Sequence, residues 1–159
     1  MIKGRLDPKA FESVEYASQS SSMHVSAAEL CHFEENQDRL AELIGKRKMR
    51  YTKEHGYTYE VANERLEEEC CIAADTMKKT ITMKIKCSRN FLYKFTVGLH
   101  MTLEEANEYF RLCDGVLRPD CMADYICIKA LEDKDPIDLF IKEFEKHTGI
   151  KLARRERKR

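Results

Sequence analysis

Seven cysteines, five histidines and 28 carboxylates are the residues of this 159-residue chain with the means to do chemistry. The cysteines stand at 31, 70, 71, 87, 113, 121 and 127. Cys70 and Cys71 are adjacent, and neighbouring sulfurs cannot close on one tetrahedral ion as a Cys-x-x-Cys pair does. Adding Cys87, Cys113, Cys121, Cys127, His24 or His32 gives no metal-ligand spacing, so the cysteines read as small core hydrophobes and no metal is expected. His55, His100 and His147 fall at expected helix ends, where surface and capping roles are commoner than catalysis. The carboxylates between Glu104 and Glu145 fall on polar helical faces, which assigns them to solvation rather than to paired acid and base work. There is no Gly-rich phosphate loop, no Gly-x-Ser-x-Gly and no His-Glu-x-x-His. No enzyme and no cofactor are expected.

The cations are more informative. The formal charge is zero, which excludes a global basic field, but it is unevenly distributed. From Cys70 to Lys94 there are six Lys or Arg and one Asp, whereas from Phe95 to Lys146 there are six basic and twelve acidic residues. The last thirteen residues carry six basic groups and one Glu. One zone favours phosphate and the next opposes it. The longest unbroken apolar run, Cys70 to Ala74, is five residues against the roughly 20 that span a bilayer, and no apolar leader is visible. Together with an odd number of scattered cysteines this points to a cytoplasmic protein with free thiols and no membrane partner.

The elements that position these residues read as helices. Residues 1–25, with Gly4, Pro8 and the run Ser18 to Ser22, form an expected loose arm. Ser26 and Glu29 have the form of a capping box, and Leu30, Phe33, Leu40, Leu43 and Ile44 recur along one helical face to about Glu54. Gly56 breaks that helix and Thr58 caps the next, whose inner face uses Val61, Ala62, Leu66, Cys70 and the stem of Arg65. A short helix anchored by Met77 and Ile81 follows, then one capped by Ser88, then one opened by the capping box Thr102 and Glu105 and ending near Asp114-Gly115. Pro119 suits the first position of a helix over 120–132, and Asp135-Pro136 begins another that Gly149 ends. No strand signal competes.

Cys71-Ile72-Ala73-Ala74-Asp75-Thr76-Met77-Lys78-Lys79, continuing through Leu92 and Leu99 to Met101-Thr102-Leu103-Glu104-Glu105, resembles the second half of the Cro and CI type repressor domain, the XRE family. There a Gly-Ile-Ser turn leads into the recognition helix, and a Leu-Gly-Val-Ser-Leu-Glu-Glu-like run follows later; His100 and Met101 stand here in place of its Gly and Val. Tyr57-Thr58-Tyr59-Glu60-Val61-Ala62 resembles the start of the family's supporting helix, with Tyr59 where it has Gln. The likeness covers about 70 residues, Ile44 to Cys113, with about four extra residues between Thr58 and Ala73. Residues 105–113 and the helix pair after them also look like small regulators of mobile elements in Gram-positive bacteria.

The residues read as an all-α chain with a helical hairpin over 116–150 and a basic, solvated tail over 151–159, and the resemblance implies a five-helix helix-turn-helix core over 26–115. It implies double-stranded DNA as partner, with residues 73–82 as the recognition helix in the major groove. Thr76 and Lys79 then reach base edges, and Ala73 and Ala74 allow close approach. Lys78, Lys84, Lys86 and Arg89 meet phosphate, and Thr58 and Tyr59 stand at the start of the supporting helix. The plain alternative for these lysines is a solvated cationic face. The hairpin offers Tyr125, Ile128, Leu139, Phe140 and Phe144 as an apolar face that either folds back onto the core or pairs with a second copy to make a homodimer. The expected function is a sequence-specific DNA-binding transcription regulator. The rival is a helical inhibitor or adaptor that binds a protein partner through the acidic C-terminal half without reading bases.

Overall fold

In the computed structural model residues 26–152 are described, so the arm expected at 1–25 and residues 153–159 of the expected tail lie outside them. The described residues form seven helices and no strand: α1 (Ala27–His55), α2 (Tyr59–Cys70), α3 (Ala74–Ile81), α4 (Arg89–Gly98), α5 (Leu103–Cys113), α6 (Met122–Asp133) and α7 (Ile137–Thr148). None is long and apolar enough to cross a membrane. Packing divides the chain between Glu35 and Asn36, and residues 116–150 belong to the same unit as residues 36–115.

Local chemistry sets most helix ends. Ser26 and Glu29 close a reciprocal capping box at 2.8 and 3.1 Å, and Thr102 and Glu105 close another at 3.3 and 3.1 Å. The Thr58 hydroxyl accepts from the Val61 N–H and that of Ser88 from the Phe91 N–H, so α2 and α4 start where the capping residues stand. One start differs from expectation. Arg118 grips Asp120 at 2.8 Å and its N–H is taken by Asp124 at 3.0 Å, which holds 118–121 in a turn; α6 begins at Met122 rather than after Pro119.

Within the second unit α4 is the central element, in contact with α2, α5, α6 and α7. Phe91, Leu92, Tyr93, Phe95, Thr96, Val97 and Gly98 are all inside, so most of its circumference is covered, while Asn90 is exposed and Arg89 and Lys94 are half-buried. A Cβ on Gly98 would stand 2.5 Å from the Glu69 carbonyl oxygen and 2.7 Å from the Cys70 Cα, so only glycine lets α4 approach α2 this closely. The α6 and α7 hairpin closes the other side with Cys127, Ala130, Leu131, Phe140, Ile141 and Phe144.

Several expected core positions face outward instead. Leu30, Phe33, Val61, Tyr125 and Leu139 are exposed, and Ile128 is half-buried. The inner stripe of α6 runs through Asp124, Cys127, Ala130 and Leu131, which turns Tyr125 away; Phe140 and Phe144 occupy the inner stripe of α7, which turns Leu139 away. The five hairpin residues therefore do not share a face. Phe144 packs its ring 5.1 Å from Tyr93 and 5.6 Å from Phe140, within this chain's own core.

Candidate nucleic-acid interface

Two residues in the left-handed region bracket the cationic zone. Cys71 closes α2 at φ 56° and His100 lies between α4 and α5 at φ 55°. The turn Cys71-Ile72-Ala73 leads into α3, whose first residue has no local side-chain cap. Glu67 supplies it from α2: its Oε2 accepts the Ala74 N–H at 2.9 Å, placing a carboxylate at the positive end of α3.

Helix α3 is amphipathic over barely two turns. Met77 and Thr80 are buried, and the Thr80 hydroxyl returns a bond to the Thr76 carbonyl at 2.8 Å. Lys78 and Lys79 are exposed about 100° apart around the helix, with Asp75 and Thr82 between them. Thr76, Ala73 and Ala74 flank this face and are half-buried. Lys79 lies 3.1 Å from Asp75, one turn back, so one of the two lysines is already engaged by a carboxylate. Met83 at φ 66° ends the helix, and Lys84, Ile85 and Lys86 follow as an exposed basic stretch.

Tyr59, at the start of α2, is 62% exposed beside the same face. The Lys48 ammonium sits 4.7 Å from its ring centroid while the rest of Lys48 is buried. A hydrogen bond with Asn63, the charge of Lys48 and, against a burial penalty, that of Lys78 hold the Tyr59 phenol below its ordinary 10.0. Three helices thus converge cations and a phenol here: Lys48 from α1, Tyr59 from α2 and Lys78 from α3. Lys48 was open to detection from the sequence, because it continues the stripe Gln37, Leu40, Ala41 and Ile44 at helical spacing.

Arg89 is not part of this surface, which corrects its assignment to phosphate. Its Nε and Nη2 hold both oxygens of Asp124 at 3.1 and 2.6 Å, and Nη1 binds the Asp114 carboxylate and the Gly115 carbonyl, the latter at 2.9 Å. Asp124 also takes the Tyr93 hydroxyl at 2.5 Å and is 1% exposed. It corrects the solvated reading of the carboxylates. Burial pushes the Asp124 carboxyl up, but the bonds from Arg89, Tyr93 and the Arg118 N–H outweigh it and hold the carboxyl below its ordinary range. A carboxylate so fully bonded is a structural anchor, with no lone pair left to act as a base. Its sequence signal is its place on the inner stripe of α6, at i, i+3 and i+7 with Cys127 and Leu131.

The remaining chemistry-bearing groups are quiet. All seven thiols are unbridged, and burial pushes those of Cys70, Cys87 and Cys127 up and that of Cys113 to about 11, which keeps them protonated and poor nucleophiles. No group of three His, Cys, Asp or Glu among the described residues is placed to hold a metal. The chain matches no family model, no curated protein and no solved structure.

Proposed function

We propose that this protein is a sequence-specific DNA-binding transcription regulator that presents α3 to the major groove. The observation that carries the reading is the face of α3: Met77 and Thr80 are turned inward while Lys78, Lys79 and Thr82 are turned outward, continued by Lys84 and Lys86. The backbone supports it. Cys71 and His100 stand at the two glycines of the repressor-type pattern, and both adopt the left-handed conformation for which glycine is favoured. Thr76 and Lys79 are assigned to base edges and Lys78, Lys84 and Lys86 to phosphates, with Tyr59 and Lys48 at the backbone beside the start of α2. Free thiols fit a reducing cytoplasm.

One observation favours the rival, a helical inhibitor or adaptor that binds protein through the acidic residues of 95–146: Asp75 pairs with Lys79 on the very face that would read bases. Selection of bound fragments from a random DNA pool, followed by salt titration of the best one, separates the two. A regulator yields a shared sequence and an affinity that falls steeply with salt. A pool that emerges without a shared sequence overturns the reading and leaves the protein-binding module.

A further inference from the structure

We infer that Lys94 is the positioning residue of α3: it bonds the turn that leads into this helix to the turn that follows α7, and so makes the placement of α3 answer to α7. The inference rests on the DNA reading above for what α3 is placed to do.

The register of α4 puts Lys94 where it acts. Gly98 lets α4 approach Glu69 and Cys70 at the end of α2, and Lys94 lies one turn earlier on the same side of α4. Its Nζ donates at 3.0 Å to the carbonyl of the next residue, Cys71, which closes α2 in the left-handed conformation. Carbonyls at the end of a helix have no partner within it, and an ammonium there also opposes the negative end of the helix. Glu67 holds the other side of the turn through the Ala74 N–H at 2.9 Å, and Ile72 between them is buried. Of its own eight residues α3 fully buries Met77 and Thr80 alone, so its placement depends on how its entrance is held.

The second acceptor of the same nitrogen lies 58 residues downstream. Gly149, at φ 74°, ends α7, and the Ile150 N–H turns back onto the Thr148 hydroxyl at 3.0 Å. Leu152 is then buried, its N–H on the Glu145 carboxylate at 2.8 Å and its carbonyl accepting from Lys94 at 2.8 Å. Glu145, Leu152, Lys94 and Cys71 thus form a path from α7 to the entrance of α3. A half-buried ammonium is costly unless its donors are used. Displacing Leu152 therefore draws Lys94 toward water and away from Cys71.

The test reads α3 in the free, full-length chain as the rate of tryptic cleavage after Lys78 and Lys79, sites inside the helix that are cut when it opens. Lys94→Met removes both bonds and keeps an apolar stem; since bonds from a charged donor are the stronger ones, cleavage should rise about tenfold. Lys94→Arg, which still donates to two acceptors, should restore most of the protection. Lys94→Gln, too short to span both carbonyls, replaces the Met variant if that does not fold. Glu145→Ala should raise the rate by a smaller factor, and add nothing once Lys94 is Met. Leu131→Ala, a cavity on α6 that takes part in none of these bonds, should leave the rate as it was. An unchanged rate without Lys94, or an equal rise in Leu131→Ala, overturns Lys94 as the positioning residue; an unchanged rate in Glu145→Ala, or an undiminished effect once Lys94 is Met, overturns the link to α7. On the selected DNA fragment Lys94→Met should weaken binding several-fold with the slope of log affinity against log salt unchanged, because its Nζ is engaged by carbonyls. Unaltered affinity, or a slope smaller by about 0.9 as for a lost phosphate contact, overturns the role in presenting α3. If the parent chain selects no sequence while the cleavage rates change as expected, the DNA reading falls and Lys94 still positions α3.

Discussion

Arg89 and Asp124, 35 residues apart in sequence, meet through two parallel hydrogen bonds of 3.1 and 2.6 Å and tie the start of α4 to the first turn of α6. Breaking such a buried pair from one side costs about 3 to 5 kcal/mol, because the other charge is left behind. Asp124→Asn should lower stability by that order in denaturant titration at neutral pH. The pH dependence follows from the depressed carboxyl. Its contribution is complete above the unfolded value near 3.8 and is lost as pH falls through the lower folded value. The wild type should therefore lose this increment only below about pH 4. The gap between wild type and Asp124→Asn should narrow as pH falls below that point, and a gap that is the same at pH 2 as at neutral pH would show the carboxyl is not depressed.

Gly98→Ala should destabilise, although exchanging Gly for Ala within a helix ordinarily gains up to about 1 kcal/mol. The new methyl meets main-chain atoms of Glu69 and Cys70, which cannot rotate aside as a side chain would. Overpacking of this kind costs about 1 to 3 kcal/mol, so the sign of the change in melting temperature decides the matter. A rise would mean α2 and α4 are further apart.

His100→Gly should stabilise. His100 is exposed and left-handed, so glycine relieves about 1 kcal/mol of strain without disturbing the core, and the carbonyl that accepts from Lys134 at 3.0 Å is retained. A melting temperature higher by about 2 to 4 °C is expected.

On the selected DNA fragment, Thr76→Ala and Lys79→Ala should each weaken binding by about 1 to 3 kcal/mol and relax the preference at one position. Asp75→Ala should do the opposite, since it releases Lys79 from its 3.1 Å partner and removes a negative charge from the face proposed to meet DNA. Affinity that is unchanged in all three would exclude α3 from the interface.

Phe140→Ala should cost about 3 to 5 kcal/mol through a cavity beside Phe144, while Tyr125→Ser, on the outward side of the same hairpin, should leave thermal melting nearly unchanged. Equal effects would mean that the hairpin is rotated from the register described.

What is legible in the sequence is what is decided within one turn of chain. Ser26 with Glu29, Thr58, Ser88 and Thr102 with Glu105 each cap a helix start using partners three residues away, so local pattern suffices. Arg89 escapes such a reading because its partners, Asp114 and Asp124, lie 25 and 35 residues downstream, and charge alone does not distinguish a cation held by carboxylates from one offered to phosphate. Tyr125 and Leu139 escape it because the hairpin is apolar beyond the one stripe that each helix can bury. Glu67 reads as polar surface, and its role at the start of α3 depends on a tertiary angle that no spacing encodes.

The burial of most of α4 has a consequence for how the protein opens. Backbone amides beside the fully covered Leu92, Phe95 and Val97 should exchange hydrogen slowly, through an opening of the helices around them. Helix α3, eight residues long and turned half outward, needs only a local excursion. The helix proposed to meet DNA should thus breathe on its own timescale while the frame behind it stays closed, and the spread of exchange rates between the two measures how far movement of α3 is uncoupled from the integrity of the fold.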